Sequence, residues 1–237
     1  MPPTEHPGDL ETIAVLVDPL RRRLYQLVCR QAQPVSRDEA AAAAGISRGL
    51  AAFHLDKLVD AGLLRARFEA PPARVRRVGR RPKLYERADL EVAVTIPERR
   101  YHLVGEVLVD AIAQATPEES GLAAATRTAM ARGVALGAEV RQQRRLGRIG
   151  PERALTMATE VVEGYGYQPY QLDQHTVGLR NCPFQRLARR APEVVCAINR
   201  SLLGGLLRGL GDQRVQAVLA PRSDACCVQL HAPAPAR

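Results

Sequence analysis

Four of the five cysteines, Cys182, Cys196, Cys226 and Cys227, lie in the last quarter of the chain. The polar, proline-rich segment Met1–Asp9 has no apolar stretch, so we expect no secretory signal and a cytoplasmic location. Because disulfides are rare in a reducing cytosol, clustered cysteines are better interpreted there as metal, cluster or redox ligands. Thiolate ligands favour zinc or iron–sulfur clusters.

The spacing of these cysteines leaves the ligand set open. Thirteen residues separate Cys182 from Cys196 and 29 separate Cys196 from Cys226, which is too wide for a zinc finger. Successive strand residues point to opposite faces, so Cys226 and Cys227 should not bind one metal together without a bulge. A site would need three cysteines and a fourth ligand, and buried thiols without a metal remain an alternative. Candidates for the fourth ligand are the other member of the Cys226–Cys227 pair, His175, Asp224 or a small molecule.

The remaining cysteine, Cys29, lies beside an apolar helical stripe and is predicted to be a small core residue. Asp18 and Pro19 predict the start of that helix, with Asp18 as N-cap and Pro19 at the first helical position. The stripe itself recurs at helical spacing and consists of Leu20, Leu24, Leu27 and Val28.

A second chemical feature is positive charge concentrated between Arg65 and Arg87. This stretch holds nine Lys or Arg against two Glu, a net +7, whereas the whole chain of 237 residues carries +9. Short strands are predicted at its two ends, over 64–69 and 83–87, so the charges fall on a hairpin. A cationic hairpin of this kind could grip phosphates or enter a minor groove. Its candidate contacts are Arg74, Arg76, Arg77, Arg80, Arg81 and Lys83.

Two predicted helices immediately precede this hairpin. Ser36 and Glu39 form a capping box, Gly45 ends the first helix, and Ser47 caps a second helix that continues to about Ala61. Such a pair is a helix-turn-helix, whose second helix reads the major groove. Its predicted inner face is Ala51, Leu55, Leu58 and Val59. The candidate DNA contacts are Ser36, Ser47, Arg48, Gly49, Phe53, His54 and Lys57. Phe53 could instead belong to the core, with His54 solvated.

The rest of the chain predicts further helices and a small sheet. A helix from Thr95 to about Ala115 is expected to build a dimer interface, with packing inside the domain as the alternative. A helical pair should then cover 118–146, single helices should cover 151–164 and 192–210, and strands should cover 165–172, 176–180, 216–220 and 225–230. The predicted fold is therefore mainly α with small β (α+β). Its predicted parts are a disordered N-terminus (1–9), a winged helix-turn-helix domain (10–94), a dimerisation helix (95–116), an effector domain (117–230) and a disordered tail (231–237).

Several of these segments together resemble a known family. Ile46–Leu64 resembles the recognition helix of ArsR-like winged-helix regulators, and Gly79–Tyr85 resembles the return strand of their wing. Pro97–Tyr101 and Asn181–Phe184 are similar to the SufR-type branch. That resemblance implies a repressor of iron–sulfur assembly operons that senses a cluster through its C-terminal cysteines. It implies Cys182, Cys196 and either Cys226 or Cys227 as the cluster ligands.

The sequence lacks the motifs of common enzyme classes. It contains no Ser-His-Asp elbow, P-loop, Gly-x-Gly-x-x-Gly or paired-histidine metal motif, so we expect no catalysis. No apolar run is long enough to cross a membrane. The prediction is therefore a homodimeric transcriptional repressor that binds double-stranded DNA and senses an iron–sulfur cluster or redox state. Alternatives are structural zinc or a small-molecule effector in place of the cluster, and a constitutive architectural DNA-binding protein.

Overall fold

The computed structural model describes residues 9–68, 82–222 and 225–233. The chain divides into two compact units, Met1–Val94 and Thr95–Arg237. The candidate wing residues Arg74, Arg76, Arg77, Arg80 and Arg81 lie outside the described residues, as do Asp224 and most of the two termini.

The first unit is built from helices followed by a hairpin. Its elements are α1 (Asp9–Ala14), a 3-10 turn (Val15–Val17), α2 (Pro19–Cys29), β1 (Val35–Ser36), α3 (Arg37–Ala44), α4 (Arg48–Asp60), β2 (Leu64–Phe68) and β3 (Lys83–Arg87). The Asp18 side chain accepts hydrogen bonds from the first turn of α2. The Ser36–Glu39 capping box is present. Gly45 ends α3 with a φ of 65°, a left-handed conformation that residues with a side chain rarely adopt. These local signals explain why the predicted helix starts are confirmed.

A three-stranded antiparallel sheet closes the first unit in the order β1-β3-β2. Tyr85 of β3 stands opposite Val35 of β1 and Ala66 of β2, and its side chain is buried. Leu24, Leu55, Leu58 and Leu64 are among the residues that complete this core. Strand β1 was not predicted, because two residues carry no period and Ser36 was already assigned as a helix cap.

The second unit combines five helices, in the part that the structure describes, with a four-stranded sheet. Its elements are α5 (Tyr101–Ala113), α6 (Gly121–Gln143), α7 (Pro151–Glu163), β4 (Pro169–Asp173), β5 (Thr176–Leu179), α8 (Gln185–Arg190), α9 (Pro192–Leu210), β6 (Gln216–Leu219) and β7 (Val228–His231). The sheet is antiparallel in the order β4-β5-β7-β6. The long helices α6 and α9 pack along each other, and α5 packs against α6.

Glycines allow α6 and α9 to touch backbone to backbone. A Cβ added at Gly205 of α9 would lie 2.9 Å from the backbone nitrogen of Val134, and one added at Gly137 of α6 would lie 2.8 Å from that of Leu210. Gly133 and Gly209 are equally close to the opposite backbone. Side chains at these four positions would force the helices apart, so the core depends on their absence.

Several predicted boundaries in the second unit were wrong. Helix α5 begins at Tyr101 rather than Thr95, because preceding backbone groups bond elsewhere: the Glu98 carbonyl accepts from Asn181 and the Arg100 N–H donates to the Pro183 carbonyl. Helix α6 is continuous where a helical pair was predicted, and β4 begins only at Pro169.

The short helix α8 was not predicted, and the predicted disordered tail begins too early. His231 belongs to β7 and pairs with Thr176 of β5 and Gln216 of β6. Ala232 beyond it is buried. At the other end of the chain, Asp9 lies in α1 rather than in a disordered segment. Strand pairing decided the C-terminal boundary, and composition alone could not reveal it.

No helix among the described residues is both long enough and apolar enough to cross a membrane.

Candidate nucleic-acid interface and cysteine cluster

The second helix of the helix-turn-helix, α4, has one buried and one exposed face. Ala51, Leu55 and Leu58 are fully buried and hold the helix against the rest of its unit. Phe53 is 56% exposed and Leu50 41% exposed, on the opposite side. The predicted helical wheel is confirmed for these positions. Phe53 is therefore not a core residue of this unit, and its ring is available for an apolar contact such as a thymine methyl.

Two of the polar candidates, Ser47 and Arg48, lie at the N-terminal end of α4, whereas Lys57 lies in its last turn. The Ser47 hydroxyl accepts from the Leu50 N–H at 3.2 Å and so caps the helix. Arg48 and Lys57 are exposed, with Arg48 Nε 2.7 Å from Asp38 and Lys57 Nζ 3.9 Å from Asp60. The polar atoms of Ser36 are engaged by Glu39, at 2.8–3.2 Å, in the capping box of α3.

His54 was wrongly predicted to face DNA or solvent. It is 8% exposed and lies on the inner face of α4, because it is three residues after Ala51 and four before Leu58. Its Nδ1 atom is buried without a hydrogen-bond partner among the described residues. His54 thus packs against its own unit and is withdrawn from the candidate contacts.

Lys83 ties the hairpin to α4 through Asp56. Its Nζ lies 2.5 Å from Asp56 Oδ1, and the Tyr85 hydroxyl donates to the same oxygen at 2.8 Å. Burial disfavours ionisation of Asp56, but the bonds from Lys83 and Tyr85 together outweigh it and lower its pKa. Burial, reinforced by Asp56, raises the pKa of Tyr85. Lys83 therefore fixes the base of the hairpin relative to α4.

A helix pair followed by an antiparallel hairpin, with an exposed second helix, is the geometry of a winged DNA-binding unit. Residues 16–67 match the family model of a helix-turn-helix domain. This match covers α2, α3, α4 and most of β2, and it indicates a DNA-binding transcription regulator rather than an enzyme family. Comparison with curated proteins finds no match to the chain.

All four C-terminal cysteines of the chain lie in its second unit. Cys182 follows β5, Cys196 lies in the first half of α9, and Cys226 and Cys227 precede β7. The backbone N–H of Cys226 donates to the Leu179 carbonyl at 2.8 Å, which joins the two cysteine-bearing segments. Cysteines distant in sequence are thus carried by neighbouring strand and helix ends.

Cys196 and Cys227 form a disulfide, contrary to the expectation that disulfides would be absent. Their Cα atoms are 6.3 Å apart, within the normal range for a bridged pair. The sequence argument used only the expected compartment, whereas the fold places α9 beside the segment that enters β7. Cys29, the cysteine of the first unit, is a half-buried free thiol that hydrogen-bonds Tyr25.

Cys226 and Cys227 lie in different surroundings, but they precede β7 rather than belonging to the strand predicted over 225–230, so strand alternation is not the cause. Cys226 is 2% exposed, and its sulfur accepts a hydrogen bond from Asn199 Nδ2 at 3.2 Å. Asn199 in turn accepts from the buried Tyr167 hydroxyl at 2.5 Å. Asn199 was missed by the sequence analysis, although a lone amide among the apolar residues of α9 was a usable signal.

Cys182 and Cys226 interact directly. The hydrogen bond from the Cys226 thiol lowers the pKa of Cys182 to about 7, against the opposing effect of burial and with further help from the Phe184 N–H and Arg99. The same contact, together with burial, raises the pKa of Cys226. A negative charge shared by this pair therefore resides on Cys182.

Arg99 holds the segment that carries Cys182. Its guanidinium donates to Asn181 Oδ1 at 2.6 Å, to the Cys182 carbonyl at 2.7 Å and to Gln185 Oε1 at 2.7 Å. Its own N–H donates to Thr95 Oγ1 at 2.7 Å. We call these contacts the Arg99 clamp. It connects Cys182 to residues that directly follow the DNA-binding unit in the chain, and no sequence pattern had pointed to Arg99 in this role.

Three of the cysteine side chains share a cavity of about 370 Å³. Cys182, Cys196 and Cys227 line it, whereas Cys226 and His175 do not. Among the described residues, no group of three or more His, Cys, Asp or Glu side chains is placed to hold a metal ion. Cysteines joined in a disulfide cannot act as ligands, so these residues fit a metal centre only after Cys196–Cys227 is reduced.

Proposed function

We propose that this protein is a sequence-specific transcriptional repressor whose second unit senses iron–sulfur status or redox state through Cys182, Cys196, Cys226 and Cys227. The observation that carries DNA binding is the recognition helix α4, which is buried on one face and exposes Leu50 and Phe53 on the other. The observation that supports sensing is that Cys182, Cys196 and Cys227 line one cavity. Cys226 is buried outside this cavity, where it accepts a hydrogen bond from Asn199.

DNA recognition is best tested with a pair of arginine variants. Arg48→Ala removes an exposed cation at the N-terminal end of α4, where recognition helices contact base edges. A lost base contact should weaken binding by about 1–3 kcal/mol and relax the preference at one base pair. Arg30→Ala removes the same charge from the exposed C-cap of α2 and serves as the control. Equal losses for both variants, with unchanged base preference, would show that Arg48 contributes only general charge.

The homodimer is part of this proposal because α5 keeps an apolar face exposed. Val109 is 66% exposed and Ile112 78% exposed, while Leu103, Val104 and Val107 pack inside the unit. A second copy of the chain would cover the exposed face and present two recognition helices to successive major grooves. Ile112→Glu should then produce monomers in analytical ultracentrifugation. A variant that sediments like the parent protein would remove α5 from the interface.

In the reduced state, Cys182, Cys196 and Cys227 would hold an iron–sulfur cluster. Cys226 would position Cys182 through the hydrogen bond between their side chains. When bound, such a cluster would supply a centre sensitive to oxidants and to iron supply. Arg189 and Arg222 on the cavity wall would offset the negative charge of thiolate ligands. Structural zinc on the same thiolates is the competing assignment, since zinc also favours sulfur ligands.

Analysis of the bound metal distinguishes the iron–sulfur cluster from structural zinc. The protein is purified anaerobically with a reductant and examined by absorption spectroscopy and by iron, sulfide and zinc analysis. A brown protein containing iron and sulfide, bleached by Cys182→Ser and unaffected by Cys29→Ser, supports the cluster. A colourless protein with stoichiometric zinc supports the structural metal. A metal-free protein that still changes its operator affinity when Cys196–Cys227 is oxidised supports a dithiol sensor.

A further inference from the structure

The cavity beside the Cys196–Cys227 disulfide has the size of a small-ligand site. Its volume of about 370 Å³ falls within the range of small-molecule pockets, roughly 300–1,000 Å³. The disulfide forms part of its wall, so a molecule bound there would lie against both sulfurs. Gln185, which accepts from the Arg99 clamp, also lines the cavity.

The remaining wall indicates the chemistry of the ligand. Ala188, Pro192 and Leu219 supply apolar surface. Arg189 from α8 and Arg222 from the segment after β6 supply two positive charges, while Glu193 and, when ionised, Cys182 supply the negative charges of the wall. Arg222 Nη1 also lies 3.4 Å from the Tyr170 hydroxyl, which steadies the guanidinium. A short carbon chain bearing carboxylates fits this combination.

We propose that the cavity binds a low-molecular-weight thiol that carries carboxylate groups, and that this thiol reduces the Cys196–Cys227 disulfide. The arginines hold the carboxylates, and the thiolate of the ligand faces the disulfide. This inference goes beyond the proposed function, because it requires neither DNA binding nor a metal centre.

The reaction is an ordinary thiol–disulfide exchange in two steps. The ligand thiolate attacks one cysteine sulfur, forms a mixed disulfide with it and breaks the Cys196–Cys227 bond, so that the other cysteine leaves as a thiolate. A second ligand thiolate attacks the mixed disulfide and releases the remaining cysteine thiolate. Both cysteine thiolates can then take a proton from water. Two thiols are oxidised to one small disulfide, and one protein disulfide is reduced to two thiols.

Charge selectivity tests the proposal on the full-length protein isolated without reductant. Opening of Cys196–Cys227 is followed by alkylation and peptide mass spectrometry with mercaptosuccinate, 2-mercaptoethanol and cysteamine, which are anionic, neutral and cationic. Each rate of disulfide opening is divided by the concentration of the ionised thiol and corrected for the intrinsic reactivity of that thiol. We expect saturation with mercaptosuccinate and a corrected preference of about tenfold over cysteamine, the size expected for two solvent-screened charge pairs.

Matched arginine variants test which arginines cause the preference for the anionic thiol. Arg189→Gln combined with Arg222→Gln should remove most of it. Arg186→Gln changes an exposed arginine of the same helix that does not line the cavity, and it should keep the preference. If the double variant does not fold, added salt provides the second test in the parent protein, since screening should reduce the rate with mercaptosuccinate but not with cysteamine.

Three results would overturn the proposal. They are four free C-terminal thiols in the protein isolated without reductant, rates that rise linearly and without regard to charge, and an equal loss of preference in the Arg186→Gln control. Operator binding is measured separately on the same preparations. A protein that binds no DNA but shows charge-selective reduction would refute the proposed function and leave this inference intact.

Discussion

Gly49 lies in the first turn of the recognition helix, on its exposed face, and a Cβ added there would meet nothing within 4 Å. Glycine in a helix costs about 0.5–1 kcal/mol relative to alanine, so nothing within the unit itself requires it. Close approach to DNA would explain it. Gly49→Ala should therefore raise or preserve the melting temperature and still weaken operator binding. Gly121→Ala, in the first turn of α6, is the control and should leave binding unchanged. Full operator affinity in Gly49→Ala would refute close approach at this position.

Asp56 gives the first unit a pH dependence whose direction follows from its lowered pKa. A carboxylate with a lowered pKa in the folded state stabilises the fold above its unfolded pKa, and this contribution is lost as the pH falls through the folded value. Asp56→Asn should therefore melt below the parent protein at neutral pH, and the difference should shrink below about pH 4, the ordinary range of an aspartate. Melting curves by circular dichroism between pH 7 and pH 3 test this. A constant difference over that range would mean that charge on Asp56 is not what joins α4 to β3.

At the scale of elements, contact between α6 and α9 makes two adjacent glycines differ sharply. Gly205→Ala would place a methyl group 2.9 Å from the Val134 nitrogen, whereas Gly204→Ala would meet the flexible end of Met130 at 3.5 Å. Overpacking of this kind costs about 1–3 kcal/mol or more. We expect Gly205→Ala to lower the free energy of unfolding substantially and Gly204→Ala to change it little. Urea denaturation measures both, and similar values for the two variants would refute close packing at Gly205.

Elements with local signals could be predicted from the sequence, and those that depend on distant partners could not. Ser36, Ser47 and Gly45 each act on the turn beside them, so the helix boundaries around α4 were predicted correctly. Strand β1 exists only because β3 pairs with it. The glycines of α9 pack against α6, a partner helix that was not identifiable from a single sequence.

The residues of the candidate site also fall into two groups, those that a local signal predicts and those that depend on distant partners. The exposed face of α4 follows from helical period, and His54 was misplaced only because polarity was given more weight than that period. The clustering of the cysteines could be suspected from their number, but their pairing depends on how α9 lies beside β7. The Arg99 clamp joins residues more than 80 positions apart. The family resemblance covered both Pro97–Tyr101 and Asn181–Phe184, but nothing in the sequence showed that the two segments touch.

At the scale of the whole molecule, the proposed function requires a signal from the cysteines to pass into residues that lead to the DNA-binding unit. The Arg99 clamp is the contact that we expect to carry it, because it joins the Cys182 segment to Thr95, the residue after Val94. Coupling between sites typically amounts to about 1–3 kcal/mol, or roughly 5- to 150-fold in affinity. Operator affinity should therefore differ between the dithiol and disulfide forms of the parent protein.

Arg99→Gln should preserve DNA binding but shrink that difference, because glutamine cannot reach Asn181, the Cys182 carbonyl and Gln185 together. Arg153→Gln changes an exposed arginine of α7 and is the control, which should keep the full difference. Fluorescence anisotropy with labelled operator, on protein poised in each redox form, measures all three proteins. Melting temperatures measured in parallel distinguish lost coupling from a loosened second unit. If Arg99→Gln retains the full redox difference while folding normally, the signal travels by another route, and the proposed dimer interface on α5 becomes the next element to vary.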